Sequence, residues 1–433
     1  MRAPSPLSRR AVLAGSTALV FALTALPAGA ADAAGAGHQP DHRGSLVLIG
    51  GGLKDDNTQV YGEIIKRAGG AKARIGVITA SSVPASQDPD ADDPDNCSNS
   101  ACNGAYYAQL FTKHGAADAQ WIPIDLDHIA NADSQAVVDQ VNSMTGFFFG
   151  GGDQYRYVTT LLHGPAHTDS KVLAAIRAKL ASGAVVSGSS AGAQIASGAD
   201  MVTGGDSYQA LRDGSTPGYF EDPTRLGYLP EGGFGFLRSG LIDTHTGANG
   251  REGRALRLAA DTGHDRVYAL EENTALVVDN PGTTRETLSV LGTQGVAVLD
   301  LRHARAREAD AGWSLTGARY TYLTDGDRYD AHRRIATPAA PKRLLAPQGT
   351  QPVPSNNDAF HSVDNTEGSP YSLRTTARQL VETNAQTAAT ATTYETGPRF
   401  TVTLSKTPRS AIWTTEPGKA QSIDSLTLAI SPQ

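Results

Sequence analysis

A serine flanked by glycines is the clearest chemical candidate in the chain. Ser190 is the centre of a Gly-Ser-Ser-Ala-Gly motif at 188–192, between the apolar run 184–186 and a segment of small residues at 194–199. A G-x-S-x-G turn between a strand and a helix strains the backbone and raises the serine hydroxyl above the sheet edge. The N–H of Ala191, at the start of that helix, can stabilise an oxyanion. The motif predicts a nucleophile, and the alternative is a glycine-rich turn with an idle serine.

A serine hydroxyl is a weak nucleophile, so this hypothesis needs a general base elsewhere in the chain. The chain has 11 histidines. His245 stands out because it ends the strand-like run 241–245, which would deliver polar groups to a sheet edge. A neutral imidazole there can take the serine proton, since histidine titrates near neutrality. A purely structural histidine is the competing interpretation.

Two adjacent carboxylates, Glu271 and Glu272, interrupt the apolar, strand-like segment 267–278. Neighbouring residues of a strand face opposite sides of the sheet, so at most one of the two is expected to face the site. That carboxylate would orient the histidine and stabilise the imidazolium. The alternative is an acidic hairpin tip between two strands, and the residues alone leave both interpretations open.

A glycine triplet at 150–152 follows the predicted strand 146–149. Ligands of parallel sheets bind at the carboxyl ends of the strands. Without side chains there, the N–H of Gly152 can approach a substrate carbonyl and complete an oxyanion hole with Ala191. Gln154 follows at once and can bind polar substrate groups. A plain turn leading into a surface helix is the alternative.

Apolar runs alternate with helically spaced segments from residue 45 onwards. Strands are predicted at 45–49, 74–79, 120–124, 146–149 and 184–186, and helices at 60–68, 106–113, 136–144 and 170–181. This alternation predicts an α/β fold with a mainly parallel sheet and helices on both faces. We place this catalytic α/β domain at 44–335.

The composition changes to Pro, Thr, Ser and Ala after about residue 335. Strand-like alternation returns at 399–404 and 425–430. We expect a small, partly β C-terminal extension over 336–433 that packs against the catalytic domain. A polymer-binding appendage is the alternative.

The N-terminal residues predict export. Three arginines within residues 2–10 precede an apolar run, and small residues at 28–30 supply a cleavage site. Ser-Arg-Arg at 8–10 resembles the twin-arginine type of signal. We expect a signal peptide at 1–30, a flexible linker at 31–43 and a secreted protein. A membrane anchor is disfavoured, because the apolar run is short and ends in proline.

Charge and cysteine content narrow the function classes. Removal of residues 1–30 takes away three arginines and no acidic residue, which changes the formal charge from −7 to −10. That balance argues against nucleic acid as a partner. Cys97 and Cys102 are the only cysteines, and in an oxidising compartment they predict a local disulfide. A zinc site would need two more ligands nearby and none is evident, so we expect no metal and no cofactor.

Taken in order, these segments resemble the cyanophycinases of the serine peptidase family that also contains dipeptidase E. The resemblance extends from about residue 45 to about residue 329 and includes 149–154, 188–193, 243–254, 271–276, 290–296 and 322–328. It implies Ser190 as the nucleophile, His245 as the general base and Glu272, rather than its neighbour, as the orienting acid. It also implies substrate-binding roles for Gln154, Asp243, Arg251 and Arg254.

The resemblance implies cyanophycin as the substrate, an aspartate polymer with arginine on its β-carboxyls, cleaved to β-Asp-Arg dipeptides. Arg251 and Arg254 would then hold carboxylates bidentately. Two departures concern substrate preference: Thr244 stands where the family often has glutamine, and Asn249 where it has a further arginine. An aspartyl dipeptidase of the same family and a catalytically silent binding protein are the alternatives. We also expect a homodimer, and no stable association with a membrane.

Overall fold

The computed structural model describes residues 44–415 and 421–433, all of which lie within one compact unit. The predicted signal peptide at 1–30 and linker at 31–43 lie outside the described residues. Within the described part of the chain, no helix is both long enough and apolar enough to cross a membrane.

The helices of the described residues have the following bounds: α1 Thr58–Arg67, α2 Ser100–Lys113, α3 Gln135–Ser143, α4 Gln154–Leu161, α5 Lys171–Ala181, α6 Ala191–Gln194, α7 Ser207–Asp213, α8 Glu252–Thr262 and α9 Ser372–Glu382. Short 3-10 turns cover Gly70–Lys72, Ala85–Gln87 and Ile129–Asp133.

The strands are β1 Ser45–Ile49, β2 Arg74–Ile78, β3 Asp118–Trp121, β4 Gly146–Phe149, β5 Leu162–His163, β6 Thr168–Asp169, β7 Val185–Ser189, β8 Met201–Val202, β9 Ser215–Pro217, β10 Leu226–Leu229, β11 Leu241–Asp243, β12 Arg266–Leu270, β13 Thr274–Asp279, β14 Thr287–Gly292, β15 Gly295–Asp300, β16 Arg305–Ala309, β17 Gly312–Thr324, β18 Arg328–Asp330, β19 Ile335–Thr337, β20 Arg343–Leu344, β21 Ala388–Thr392, β22 Phe400–Ser405, β23 Ala411–Thr414 and β24 Ser422–Pro432.

The first large sheet has the order β19-β18-β14-β13-β1-β7-β4-β2-β3. From β1 to β3 its strands pair in parallel, and from β1 to β19 they pair antiparallel. The predicted α/β class with a parallel core is therefore confirmed. The antiparallel half of this sheet was not predicted.

Alternate residues of the parallel strands bury themselves against helices on opposite faces. On β1, Val47 and Ile49 belong to the apolar cluster that includes residues of α1 and α2. Leu46 and Leu48 belong to the cluster that includes residues of α3, α4 and α5. A strand covered on both faces is apolar at every position, so its sequence shows no alternation of apolar and polar residues.

A second large sheet, in the order β11-β12-β15-β17-β24-β22-β21, packs beside the first. Its strands β11 and β12 are parallel, and its other neighbours are antiparallel. Ile242 and Leu270 share an apolar cluster with the first sheet, whereas Leu241 and Val267 face the cluster that contains residues of α8 and α9.

Two apolar segments of the sequence pass from one sheet to the other. The segment 267–278 contains the end of β12 in the second sheet and most of β13 in the first. Asn273, between them, has a φ of +52°, a conformation that ends a strand. The segment 290–296 likewise contains the end of β14 and the start of β15, with a φ of +132° at Gly292. Apolar composition carries no trace of such breaks.

The predicted local disulfide is present between Cys97 and Cys102, whose Cα atoms are 6.1 Å apart. Helix α2 begins six residues before the predicted 106, because the side chain of Asn99 accepts a hydrogen bond from the N–H of Cys102 at 3.0 Å. An asparagine cap of this kind starts a helix irrespective of the apolar spacing that follows. The bridge therefore joins the acidic loop to the first turn of α2.

The C-terminal residues are built into the second sheet. Strand β24 lies between β17 and β22, and it corresponds with β22 to the two strands predicted there. The Lys342 ammonium lies 2.6 Å from Asp327 Oδ1 and 3.0 Å from Ser422 Oγ. This ion pair is buried, so breaking it would leave an uncompensated charge inside the protein. The proposed division at residue 335 stays a prediction.

Candidate active site

Ser190 sits on a sharp turn between β7 and α6, with φ +53° and ψ −117°. The turn requires its two glycines, because strand, helix and neighbouring loop pass in contact. A Cβ on Gly188 would lie 2.2 Å from the carbonyl oxygen of Gly192, and one on Gly192 would lie 2.0 Å from that of Phe149. Such a strained serine is held only where the surrounding structure determines its conformation. The predicted strand–turn–helix elbow is therefore present.

The imidazole of His245 joins two other side chains in one chain of hydrogen bonds. Its Nε2 lies 2.8 Å from Ser190 Oγ, and its Nδ1 lies 2.7 Å from Glu272 Oε1. With the proton on Nδ1, that nitrogen donates to the carboxylate and Nε2 accepts from the serine hydroxyl. The structure thus brings together the three residues that the family resemblance implies, and Glu272 rather than Glu271 contacts the imidazole.

Glycines at 50–52 make the room that this imidazole occupies. Gly51 has a φ of +101°, and a Cβ there would lie 2.1 Å from His245 Nε2. The carbonyl oxygen of Gly50 also accepts a hydrogen bond from the N–H of His245 at 2.7 Å. Sequence analysis assigned this triplet no role in the site. The available signal was its position at the carboxyl end of a predicted strand, as for 150–152.

The glycine turn at 150–152 runs alongside the serine. A Cβ on Gly151 would lie 3.4 Å from the Cβ of Ser190, and Gly152 has a φ of +142° that favours glycine. Ala191 is the first residue of α6, so its N–H has no partner within the helix. The structure therefore places Gly151 and the helix start at Ala191 beside Ser190, whereas Gly152 lies one residue further along and packs against Ser81. The predicted oxyanion role of Gly152 and Ala191 stays a prediction.

Asp243 and Arg254 form a buried, two-pronged ion pair instead of two free binding groups. The guanidinium donates from Nε and Nη2 to the two carboxylate oxygens, at 2.8 and 2.6 Å. Its Nη1 donates to the carbonyl oxygen of Gly205 at 2.7 Å. Since Arg254 is only 5% exposed and its donors are engaged, this geometry offers no support for the bidentate hold on a substrate carboxylate. The pair braces the segment on either side of His245.

Arg251 and Gln154 are each partly exposed. Arg251 Nη1 donates to the carbonyl oxygen of Thr244 at 3.0 Å, and no carboxylate of the described residues forms an ion pair with it. Burial lowers the pKa of Arg251 to about 10, helped by the neighbouring charge of Arg254. Gln154 opens α4 and donates to the carbonyl oxygen of Val202 at 3.0 Å. Substrate binding by both residues stays a prediction.

Two buried carboxylates lie behind the site. Glu271 accepts a hydrogen bond from the N–H of Gly247 at 2.9 Å, and burial raises its pKa to about 7 although Arg374 opposes the change. Burial also raises the pKa of Glu252 to about 8, and the charge of Glu271 adds to the effect. Oε2 of Glu252 has no hydrogen-bond partner among the described residues. Near neutral pH, Glu252 therefore keeps its proton.

No group of His, Cys, Asp and Glu side chains among residues 44–415 and 421–433 is arranged to hold a metal ion. The chemistry available at this site from the described side chains is that of a serine hydroxyl, an imidazole and a carboxylate, flanked by backbone N–H donors and one unpaired guanidinium.

Comparison with known proteins agrees with this chemistry. A model of Peptidase family S51 matches residues 98–285. The chain is 26% identical over 301 residues to the cyanophycinases of Synechococcus elongatus and of Thermosynechococcus vestitus, covering 68% of this chain and 81% of each relative. A crystal structure of a peptidase from an acI-B1 Actinobacterium is 18% identical, with a TM-score of 0.43 over 67% of this chain and 98% of that one.

The sequence matches define the protein as a serine-type peptidase. Residues 98–285 match the model of peptidase family S51, and the chain is similar to the two cyanophycinases.

The raised pKa of Glu252 predicts a loss of stability with rising pH. The folded state holds this proton up to about pH 8, whereas an ordinary glutamate releases it near pH 4.5. The free energy of unfolding therefore falls as the pH rises between these values. In thermal melts at pH 5, 7 and 9, Glu252→Gln should remove this loss and melt about 3 °C above the parent at pH 9. The exposed Glu231→Gln is the control, and identical pH profiles for Glu252→Gln and the parent would contradict the assignment.

Proposed function

We propose that the protein is a secreted exopeptidase that hydrolyses cyanophycin to β-Asp-Arg dipeptides with a Ser190, His245 and Glu272 triad. The observation that carries this proposal is the continuous chain of hydrogen bonds from the Glu272 carboxylate through the imidazole to the Ser190 hydroxyl. Similarity to two cyanophycinases supports the substrate. The N-terminal arginines and apolar run support export through a twin-arginine signal.

In the acylation step, Ser190 Oγ attacks the carbonyl carbon of the scissile peptide bond while His245 Nε2 takes the hydroxyl proton. The N–H groups of Gly152 and Ala191 stabilise the negative oxygen of the tetrahedral intermediate. Glu272 holds the imidazolium in the orientation it needs. Collapse of the intermediate breaks the C–N bond, and His245 gives the proton to the leaving amine.

In the deacylation step, a water molecule attacks the ester on Ser190 and gives its proton to His245. The second tetrahedral intermediate collapses when the serine oxygen leaves with that proton. The acyl fragment is released as a carboxylate, the remaining proton passes to the amine product, and the three side chains return to their starting protonation states. Atoms and charges therefore balance over the cycle, with water as the only co-reactant.

The unpaired charge of Arg251 supports an anionic substrate. Its guanidinium is largely desolvated, which by itself disfavours the charge. A carboxylate of the aspartate polymer or of its chain end would offset that cost, and bidentate binding would orient the chain. Arg254 would act through its pairing with Asp243, which fixes the segment carrying His245.

The central test is incubation of the protein lacking residues 1–30, and of its Ser190→Ala variant, with purified cyanophycin. Mass spectrometry of the soluble products should detect β-Asp-Arg from the parent. The variant should be slower by roughly 10⁶, as in other serine triads. Ser189→Ala is the matched control, because Ser189 is the buried neighbour at the end of β7, and it should retain the parent rate.

Other outcomes would redirect the proposal in defined ways. Cleavage of short Asp-X peptides without any release from the polymer would identify an aspartyl dipeptidase of the same family. Unchanged binding of cyanophycin by the parent and Ser190→Ala, with no product from either, would identify a binding protein.

The choice between the two adjacent carboxylates is a separate prediction. Glu272→Gln should lower kcat by about 10⁴, because the amide favours the wrong imidazole tautomer. Glu271→Gln keeps an oxygen acceptor for the N–H of Gly247 and should cost less than about tenfold in kcat. Steady-state kinetics on the same substrate compare the two. Equal damage from both substitutions would contradict the assignment of Glu272 as the orienting acid.

A further inference from the structure

The loop that carries His245 depends on neighbouring segments for its position. Strand β11 ends at Asp243, and His245 itself has a φ of +54°, so no strand ladder holds it. On one side the loop is anchored by the N–H of Thr246, which donates to the carbonyl oxygen of Leu270 at 3.2 Å, and by the bond from His245 to Gly50. The other side is covered by residues far along the chain.

Those residues come from the C-terminal extension. The N–H of Tyr371 donates to the carbonyl oxygen of Gly247 at 2.7 Å. A Cβ on Gly247 would lie 2.6 Å from Tyr371 Cδ1, and one on Gly250 would lie 1.5 Å from the carbonyl oxygen of Phe360. The extension therefore rests directly on the backbone of the loop, with no space for a methyl group at either glycine.

Arg374, in the first turn of α9, ties this contact to the rest of the protein. Its guanidinium carbon lies 4.1 Å from the ring centroid of Tyr371. Its Nη1 donates to Gln294 Oε1 at 2.7 Å and to the Tyr322 hydroxyl at 2.8 Å. Gln294 lies between β14 and β15, and Tyr322 lies on β17. The positive charge of Arg374 also acts on the buried carboxylate of Glu271.

Gly247 connects these contacts to the segment that carries His245 and to the residue beside Glu272. Its carbonyl oxygen accepts from Tyr371, and its N–H donates to Glu271, the residue next to Glu272. Gly247 itself lies two residues beyond His245. The hydrogen bond from Tyr371 to Gly247 therefore helps to fix the positions of both His245 and Glu272.

We propose that the C-terminal extension completes the active site, with Tyr371 and Arg374 as positioning residues that fix the His245 loop against Glu271. The proposal rests on the triad of the proposed function. Neither residue touches the reacting atoms. Their effect arises because a displacement of about 1 Å at a catalytic group can cost about 10²-fold in rate.

The test compares Arg374→Met with Arg378→Met in the full chain. Arg378 lies one turn further along α9, is 45% exposed in its side chain and pairs with Glu382 at 3.6 Å, so the control removes the same group without touching the loop. Two rates are measured: turnover of cyanophycin, and covalent labelling of Ser190 by phenylmethanesulfonyl fluoride, which needs an activated serine but no specific substrate.

We expect Arg374→Met to lower both kcat and the labelling rate by about 10- to 100-fold with KM changed less than about threefold. Arg374→Lys, which keeps a cation near Glu271, should recover part of the loss. Arg378→Met should match the parent. If Arg374 served stability alone, Arg374→Met would lower the melting temperature, but the folded variant would keep the parent kcat and labelling rate.

Parent-like labelling of folded Arg374→Met, or equal losses in both arginine variants, would overturn the inference and leave the triad standing. If Arg374→Met does not fold, Tyr371→Leu removes the ring beside Gly247 and carries the same expectation, with parent-like labelling as the contradicting result. Absence of labelling in the parent would instead refute the triad, and this inference with it.

Discussion

The imidazole of His245 must satisfy two hydrogen bonds at once, at 2.8 Å to Ser190 and 2.7 Å to Glu272, and this requirement constrains the whole architecture. Ser190 follows a strand of the first sheet, and His245 follows a strand of the second. Glu272 lies in the crossing between the sheets. The three groups keep their geometry only if the two sheets are rigidly joined, which the shared apolar cluster of both achieves.

Backbone strain is concentrated at the same place. Ser190, His245 and Asn273 all have positive φ, a conformation that costs such residues on the order of 1 kcal/mol or more each. Packing offsets that cost, because neighbouring glycines let other segments approach within contact distance. The buried pair of Asp243 and Arg254 holds the base of the same loop. The fixed backbone conformation and the close packing together hold the imidazole of His245 in a single position.

Residues whose roles follow from local chain geometry were accessible from the sequence. The elbow at Ser190, the parallel core and the disulfide follow from motif, apolar runs and spacing. The assignment of strands to two sheets could not be predicted from the sequence. It depends on breaks between strands at Asn273 and Gly292, which composition does not reveal. The pairing of Arg254 with Asp243 likewise depends on packing that brings α8 onto β11. The choice of Glu272 over its neighbour came from family resemblance, since alternation alone left both open.

The hydrogen-bonded chain at Ser190, together with the match to the model of peptidase family S51, makes an acyl-enzyme on Ser190 the central claim of the proposed function. Its most direct test is intact-protein mass spectrometry of the parent, acid-quenched within milliseconds of mixing with substrate, followed by peptide mapping. We expect a transient mass increase equal to the acyl group, located on the peptide that contains Ser190 and absent from Ser190→Ala. Turnover without any covalent species, or with acylation mapped to another residue, would contradict it.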